Sequence, residues 1–141
     1  MTIIIDASLA VKWFLDEADS SLADQILETQ SGNLLVPPTF VVEVISTLVR
    51  EANIHKAHAG VMRDAIARLT AFLGDGTISV CEQKPAQIER AANIAIDLGH
   101  PLKDCIYLLL AMELDCDLIT ADARFVEKAK GVWAGVKVLG E

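Results

Sequence analysis

Four acidic residues of this sequence lie beside or within apolar stretches, where an ionised carboxylate is unfavourable. Asp6 directly follows a run of three isoleucines, and Asp122 closely follows a second apolar run. Glu43 interrupts an apolar stretch, and Asp104 opens one that is almost wholly apolar. An ionised carboxylate in apolar surroundings is costly unless it is paired or binds a metal ion. Each of the four is therefore a candidate for an ion pair or for a metal ligand.

Each of these acids also has a purely structural interpretation. An aspartate after a strand often caps the next helix, which applies to Asp6 and Asp122, and Asp104 can cap its own helix in the same way. Glu43 can form an ion pair with Arg50, one or two turns along the same predicted helix, or extend its side chain outward to solvent. Each acid alone is therefore a weak signal, whereas four of them, two after strands and two on helices, favour a shared site.

Polar and basic neighbours of the acids fit the same hypothesis. Ser8 lies two residues after Asp6, and Thr120 lies two residues before Asp122, so that a hydroxyl and a carboxylate can face one site from one turn. Three basic residues lie close to the acids in the sequence and could contact phosphate groups, although each is also explained as a solvated charge: Lys12, Lys103 and Arg124.

Short apolar strands alternate with helical segments along the chain. Strands are predicted at residues 2–5, 34–36, 78–80, 117–120 and 136–139. Helices are predicted at 7–15, 20–29, 38–52, 55–73, 85–98, 104–113 and 125–130, and the fourth is expected to bury Val61, Ala65, Leu69 and Phe72. This alternation predicts one α/β domain over residues 1–141, with a central parallel sheet of four or five strands and helices on both faces. Ligands of such sheets bind beyond the carboxyl ends of the strands, where two of the acids lie.

Composition limits the class of function. The net charge of −8 argues against a generally basic nucleic-acid-binding surface, so any contact with RNA must use a local basic rim and metal ions. No apolar segment has the length of a membrane span, and the first residues lack the basic region of a signal peptide. Three cysteines without a CxxC pair predict reduced thiols and a cytoplasmic protein. A mean hydropathy of +0.40 indicates either a large core or apolar surface that meets another chain.

The four acids lie within four ordered motifs: residues 3–8 (IIIDAS), residues 36–38 (VPP) with Glu43 five residues on, residues 104–111 (DCIYLLLA) and residues 118–125 (LITADARF). In this order and spacing they resemble the motifs of PIN domains, and most closely those of the VapC toxins. The resemblance extends from residue 3 to about residue 138. Each motif alone is weak, but the ordered set is specific.

The resemblance implies a metal-dependent endoribonuclease, the toxin of a type II toxin–antitoxin pair, that leaves a 5′-phosphate and a 3′-hydroxyl. It implies that Mg²⁺ or Mn²⁺ is bound by a catalytic acidic quartet, with Ser8 and Thr120 in support; the quartet comprises Asp6, Glu43, Asp104 and Asp122. It also implies a homodimer and a VapB-type antitoxin, which we expect to bind apolar surface near residues 10–30 and 38–73. Family antitoxins commonly place a basic side chain near the acidic site.

Three alternative functions are compatible with a small, acidic α/β domain, and the residues argue against the first two. A receiver-type signalling domain is also small, acidic and α/β, but it needs an acidic pair after the first strand and an acceptor aspartate after a middle strand, and neither is present. A phosphatase with an aspartate nucleophile needs a second aspartate where Ser8 stands. A catalytically inactive PIN-like module that binds other proteins would share the fold, and only a measurement of activity separates it from an enzyme.

Overall fold

The computed structural model describes all 141 residues. Five strands form its sheet: β1 (Ile3–Ile5), β2 (Leu34–Val36), β3 (Ile78–Val80), β4 (Asp117–Thr120) and β5 (Val136–Val138). Seven α-helices lie between successive strands of the chain: α1 (Ala7–Ala10), α2 (Ser20–Gln30), α3 (Thr39–Ile54), α4 (Ala59–Gly74), α5 (Pro85–Leu98), α6 (Leu102–Leu114) and α7 (Ala123–Ala129). The predicted α/β fold is confirmed.

All strand pairs are parallel, and the strand order across the sheet is β3-β2-β1-β4-β5. The chain therefore builds outwards from β1 to β3, crosses back, and continues on the other side of β1 with β4. Such a reversal leaves a crevice at the carboxyl ends of the two central strands, which is where ligands of open α/β sheets bind. Ile5 of β1 pairs with Ile119 of β4, so the residues that follow these two strands emerge side by side.

Helix α6 is buried on nearly every side. Seven consecutive residues, Cys105–Ala111, are buried, because the helix lies between the sheet and α5. This environment explains why its sequence is apolar all round, without the polar face of a surface helix. Asp104, in the first turn of α6, is thereby held by a helix that has little freedom to move.

Two predicted helices differ from the structure by more than two residues at one end. The first is shorter than the predicted 7–15, because α1 ends at Ala10 and continues as a 3₁₀ turn over Val11–Trp13. The fourth starts at Ala59 after a 3₁₀ turn over Lys56–His58, and its buried face includes Met62. The expectation for Val61 was wrong, since this side chain is 63% exposed.

None of the helices is long and apolar enough to cross a membrane. The three cysteines, Cys81, Cys105 and Cys116, form no disulfide with one another. A single core of 30 buried residues joins the sheet to its helices, and a small second cluster lies between α5 and α6.

Because α6 is packed on both sides, we expect Leu108→Ala to lower the free energy of unfolding by about 2–5 kcal/mol, since Leu108 is fully buried and its truncation leaves a cavity. The matched control is Leu102→Ala on the same helix, where the leucine is 39% exposed and the cost should stay below about 1 kcal/mol. Urea denaturation measures both. Equal losses in the two variants would contradict the central position of α6.

Candidate active site

The structure brings the four predicted acids to one cleft at the carboxyl edge of the sheet. The cleft has a volume of about 430 Å³, and its lining includes all four side chains: Asp6, Glu43, Asp104 and Asp122. They come from four different places in the fold, namely the ends of β1 and β4 and the helices α3 and α6. Ser8 also lines the cleft. Thr120 is buried beside it and bonds to Asp6.

Asp6 occupies the most enclosed position of the four, with 5% of its surface exposed. It caps α1 by accepting a hydrogen bond from the backbone N–H of Leu9 at 3.1 Å. The hydroxyl of Ser8 donates to the same oxygen at 2.7 Å, and the hydroxyl of Thr120 donates to the other. Burial nevertheless raises the pKa of Asp6 to about 6, and the charge of Asp104 adds to the rise. These hydrogen bonds offset only part of the cost of desolvation.

Glu43 lies on α3 and is partly buried. The phenol of Tyr107, itself fully enclosed in α6, donates a hydrogen bond to Oε1 of Glu43 at 3.0 Å. Burial raises the pKa of Glu43, and the charge of Asp104 acts in the same direction, whereas the Tyr107 hydroxyl and the ammonium of Lys103 lower it. Glu43 forms no salt bridge, so the predicted alternative of a pair with Arg50 is wrong.

The other two acids are anchored by different donors. Asp122 caps α7, and its Oδ1 accepts hydrogen bonds from the backbone N–H groups of Arg124 at 3.0 Å and Phe125 at 3.1 Å. Asp104 does not cap α6; its Oδ2 contacts Nε2 of His100 at 2.6 Å. Capping and a place in the cleft are therefore compatible, because a carboxylate has two oxygens and the cap of Asp122 uses one.

Three of the acids share one pattern of hydrogen bonding. Glu43, Asp104 and Asp122 each have one oxygen held by a protein donor, while the second oxygen has no hydrogen bond within the protein. Lys103 is the one basic side chain in the lining of the cleft. Four carboxylates with a single lysine leave negative charge uncompensated, and an all-oxygen set of this kind suits Mg²⁺ or Mn²⁺.

Two of the predicted basic neighbours lie outside the cleft lining. Lys12 donates to the backbone carbonyl of Ala18 at 2.7 Å and pairs with Glu17, so it stabilises the loop before α2. Arg124 is exposed on α7 and is absent from the lining. The hypothesis that Lys12 and Arg124 contact phosphate has no support from this arrangement, whereas Lys103 lies where it was expected.

Sequence reasoning missed two residues that contact the acids, His100 and Tyr107. Tyr107 is three residues after Asp104 and is the only tyrosine of the chain, in a stretch that otherwise holds apolar side chains. His100 lies four residues before Asp104, which is a helical spacing, but Pro101 between them concealed the contact. One ligand atom each of His100, Asp104 and Asp122 lies within 4.8 Å of the others.

Fold and cleft together define a class: parallel α/β domains that gather carboxylates beyond the carboxyl ends of the central strands. The sequence profile of the PIN domain matches residues 3–131, and the chain belongs to the PIN-domain family. The resemblance inferred from the four motifs is thereby confirmed at the level of the family. No protein with a curated description matches the chain.

Several solved structures share the fold. PAE2754 from Pyrobaculum aerophilum superposes with a TM-score of 0.73 at 18% identity, covering 99% of this chain and 90% of its own. The Mycobacterium tuberculosis toxin VapC20, described as cleaving the sarcin–ricin loop, gives 0.67 at 13% identity and covers 89% and 94%. A toxin–antitoxin complex from Klebsiella pneumoniae gives 0.63 at 18% identity, with 99% of each chain covered. At sequence identities this low, the superpositions show a common fold and nothing beyond it.

The raised pKa of Asp6 predicts how stability depends on pH in the metal-free protein. A folded pKa of about 6 lies above the ordinary value of 3.8, so Asp6 favours folding below pH 4, and that contribution is lost as the pH rises to about 6. Asp6→Asn stays neutral, and its amide can still bond to both hydroxyls. With a chelator at pH 7.5, the variant should therefore be more stable than the parent by on the order of 2 kcal/mol.

At pH 4 the difference between Asp6→Asn and the parent should largely disappear, because Asp6 is then protonated in the fold. The control is Asp24→Asn, which makes the same chemical change at an exposed position on α2. Urea denaturation at the two pH values measures these differences. A variant that is less stable than the parent at both would show that the Asp6 charge stabilises the fold, contrary to this account.

Proposed function

We propose that this chain is a metal-dependent endoribonuclease and the toxin component of a type II toxin–antitoxin system. In this proposal Asp6, Glu43, Asp104 and Asp122 bind Mg²⁺ or Mn²⁺, and all four are catalytic residues. The observation that carries the proposal is the convergence of four carboxylates from distant parts of the chain on one cleft. Membership of the PIN-domain family and the likeness of the fold to VapC20 support it.

The charge balance of the cleft argues that the acids serve a ligand. Asp6 is almost fully enclosed, and no lysine or arginine pairs with it. Keeping a desolvated carboxylate raises the free energy of the metal-free fold, so packing alone does not account for its presence. A divalent cation would offset this cost and allow every acid of the quartet to ionise. Such clusters are typical of functional sites.

A bound divalent cation supplies Lewis-acid chemistry: it lowers the pKa of a water molecule and offsets negative charge on the phosphate. The protein's own contribution is to hold the carboxylates rigidly. Tyr107 fixes one oxygen of Glu43, and the amides of α7 fix one oxygen of Asp122, which leaves their second oxygens for the ion. Lys103, at the rim of the cleft, supplies a positive charge that can contact a phosphate of the RNA.

Glu43→Gln tests the catalytic assignment. The glutamine keeps the size of the side chain and can still accept the hydrogen bond from Tyr107, but it removes one negative charge from the cleft. Cleavage of mixed RNA in Mn²⁺ should fall at least about 100-fold, beyond the 10–100-fold typical of residues that only position a ligand. Asp6→Asn should behave in the same way while remaining folded. Loss of activity on adding EDTA checks the dependence on metal.

The matched control for Glu43→Gln is Glu51→Gln, which makes the same change on the same helix, where Glu51 pairs with His58 outside the cleft. It should cleave RNA like the parent. Cleavage that is lost in Glu43→Gln but kept in Glu51→Gln would also show that the activity does not come from a contaminating nuclease. If the parent protein did not cleave RNA in Mn²⁺, the inactive protein-binding module would be the correct interpretation. If Glu43→Gln retained full activity, the assignment of the quartet would be wrong.

We also propose that the protein works in the cytoplasm as a homodimer that binds a VapB-type antitoxin. The apolar surface expected for these contacts lies on α3, where Val42, Val49 and Ile54 are 69%, 42% and 60% exposed. No large apolar side chain is comparably exposed between residues 10 and 30. Val42, Val49 and Ile54 line an apolar groove along α3. Two residues of the groove, Val42 and Ser46, also line the acidic cleft, so a chain seated on α3 would reach the cleft.

Val49→Lys should weaken association through α3, because it places a charge in the middle of the apolar groove. Sedimentation equilibrium should then show a shift from dimer towards monomer. The control is Val132→Lys, since Val132 is 40% exposed but lies on the loop after α7. A parent protein that is monomeric at all concentrations would count against the dimer. Equal association of Val49→Lys and the parent would count against α3 as the interface.

A further inference from the structure

His100 occupies a constrained position in the turn between α5 and α6. Gly99 ends α5 in the left-handed conformation, with φ at 63°, and the N–H of His100 donates back to the carbonyl of Ala95 at 3.0 Å. The imidazole stacks on Phe125 of α7, with ring centroids 4.6 Å apart and planes 30° apart. Its side chain is 10% exposed. Both the backbone and the ring of His100 are therefore fixed by their neighbours.

The hydrogen bonding of the ring determines which nitrogen carries the proton. Nε2 contacts Oδ2 of Asp104 at 2.6 Å, and a carboxylate oxygen only accepts, so Nε2 is the donor. Nδ1 is buried without any partner. A proton on Nδ1 would leave a buried donor unsatisfied, at a cost of about 1–3 kcal/mol. The surroundings of His100 thus favour one tautomer, the one whose N–H points at Asp104.

We infer that His100 is a positioning residue that fixes the carboxylate of Asp104 for metal binding; the inference rests on the proposed function. With Oδ2 held by the imidazole, Oδ1 of Asp104 is left without a protein partner in the cleft. The ring also ties Asp104 to its neighbour across the cleft, because Phe125, on which it stacks, donates its backbone N–H to Asp122. His100 therefore sets the relative placement of two of the four acids.

Direct ligation by His100 is the competing role. Its ligand nitrogen lies within 4.8 Å of oxygens of Asp104 and Asp122, which is close enough for a shared ion. To bind an ion through Nε2, however, His100 would have to break its hydrogen bond to Asp104, and Nδ1 would have to take up the proton without a partner. Metal-ligating carboxylates are commonly oriented by hydrogen bonds of the kind that His100 makes, which favours the positioning role.

Two amide variants of His100 separate these roles. The amide nitrogen of His100→Gln can reach the place of Nε2 and donate to Asp104, whereas that of His100→Asn overlaps Nδ1 and falls short of it. Calorimetric titration with Mn²⁺ should show that His100→Asn binds about 10-fold or more weakly than the parent, while His100→Gln keeps most of the affinity. Lys128→Met is the control, because it removes a different contact of the same turn, the 2.9 Å hydrogen bond to the carbonyl of Gly99. It should bind Mn²⁺ like the parent.

Pulsed electron paramagnetic resonance of the Mn²⁺ complex gives a second readout. We expect no coupling to an imidazole nitrogen in the parent; a coupling that disappears in both variants would establish ligation and overturn the inference. Equal affinity of His100→Asn and the parent would also overturn it, as would equal losses in the Asn and Gln variants. If the parent bound no Mn²⁺, the proposed function itself would fail, and the inference with it. The parent titration therefore distinguishes the two failures.

Discussion

Burial of the Asp6 carboxylate is the constraint on which much of the architecture depends. The donors around this carboxylate, which is 5% exposed, offset part of the cost of its burial, and one of them, Thr120, comes from 114 residues further along the chain. Thr120 can lie there only if β4 is paired with β1, which requires the chain to cross back over the sheet after β3. The crossing passes through α5 and α6, and α6 delivers Asp104 to the same cleft. The crossing that pairs β4 with β1 therefore brings both the Thr120 hydroxyl and the Asp104 carboxylate to Asp6.

The other three acids are held in place before a ligand binds, which reduces the entropy cost of binding. A phenol, an imidazole and two backbone amides each restrain one carboxylate, so the rotamers of Glu43, Asp104 and Asp122 are set before any ligand arrives. The restraints come from regular helices or from a turn packed against them. Burial is the main cause of the raised pKa values of Asp6 and Glu43, and repulsion from the charge of Asp104 adds to both.

What could be predicted from the sequence was mostly local. The acids of the cleft were recognisable because each breaks an apolar pattern within a few residues, and the strands were recognisable because each is a short apolar run between turns. His100 and Tyr107 could not be found in that way, because their contacts with the acids depend on how α6 packs. The error at Val61 has a related cause: both Val61 and Met62 are apolar, and the packing of α4 against α3 and β3, rather than periodicity, decides which one is buried.

The central position of β1 has a consequence for biosynthesis. As the chain leaves the ribosome, β1, β2 and β3 are available for pairing early, but Thr120 and Asp122 are made more than a hundred residues after Asp6. Contacts between such distant residues form late, since a long loop must close before they are made. A nascent chain that ends before β4 lacks part of the cleft and the Thr120 hydroxyl, one of the two hydroxyls that donate to Asp6. The acidic site is therefore completed only when synthesis of the domain is nearly finished, so a partly made chain cannot gather all four carboxylates.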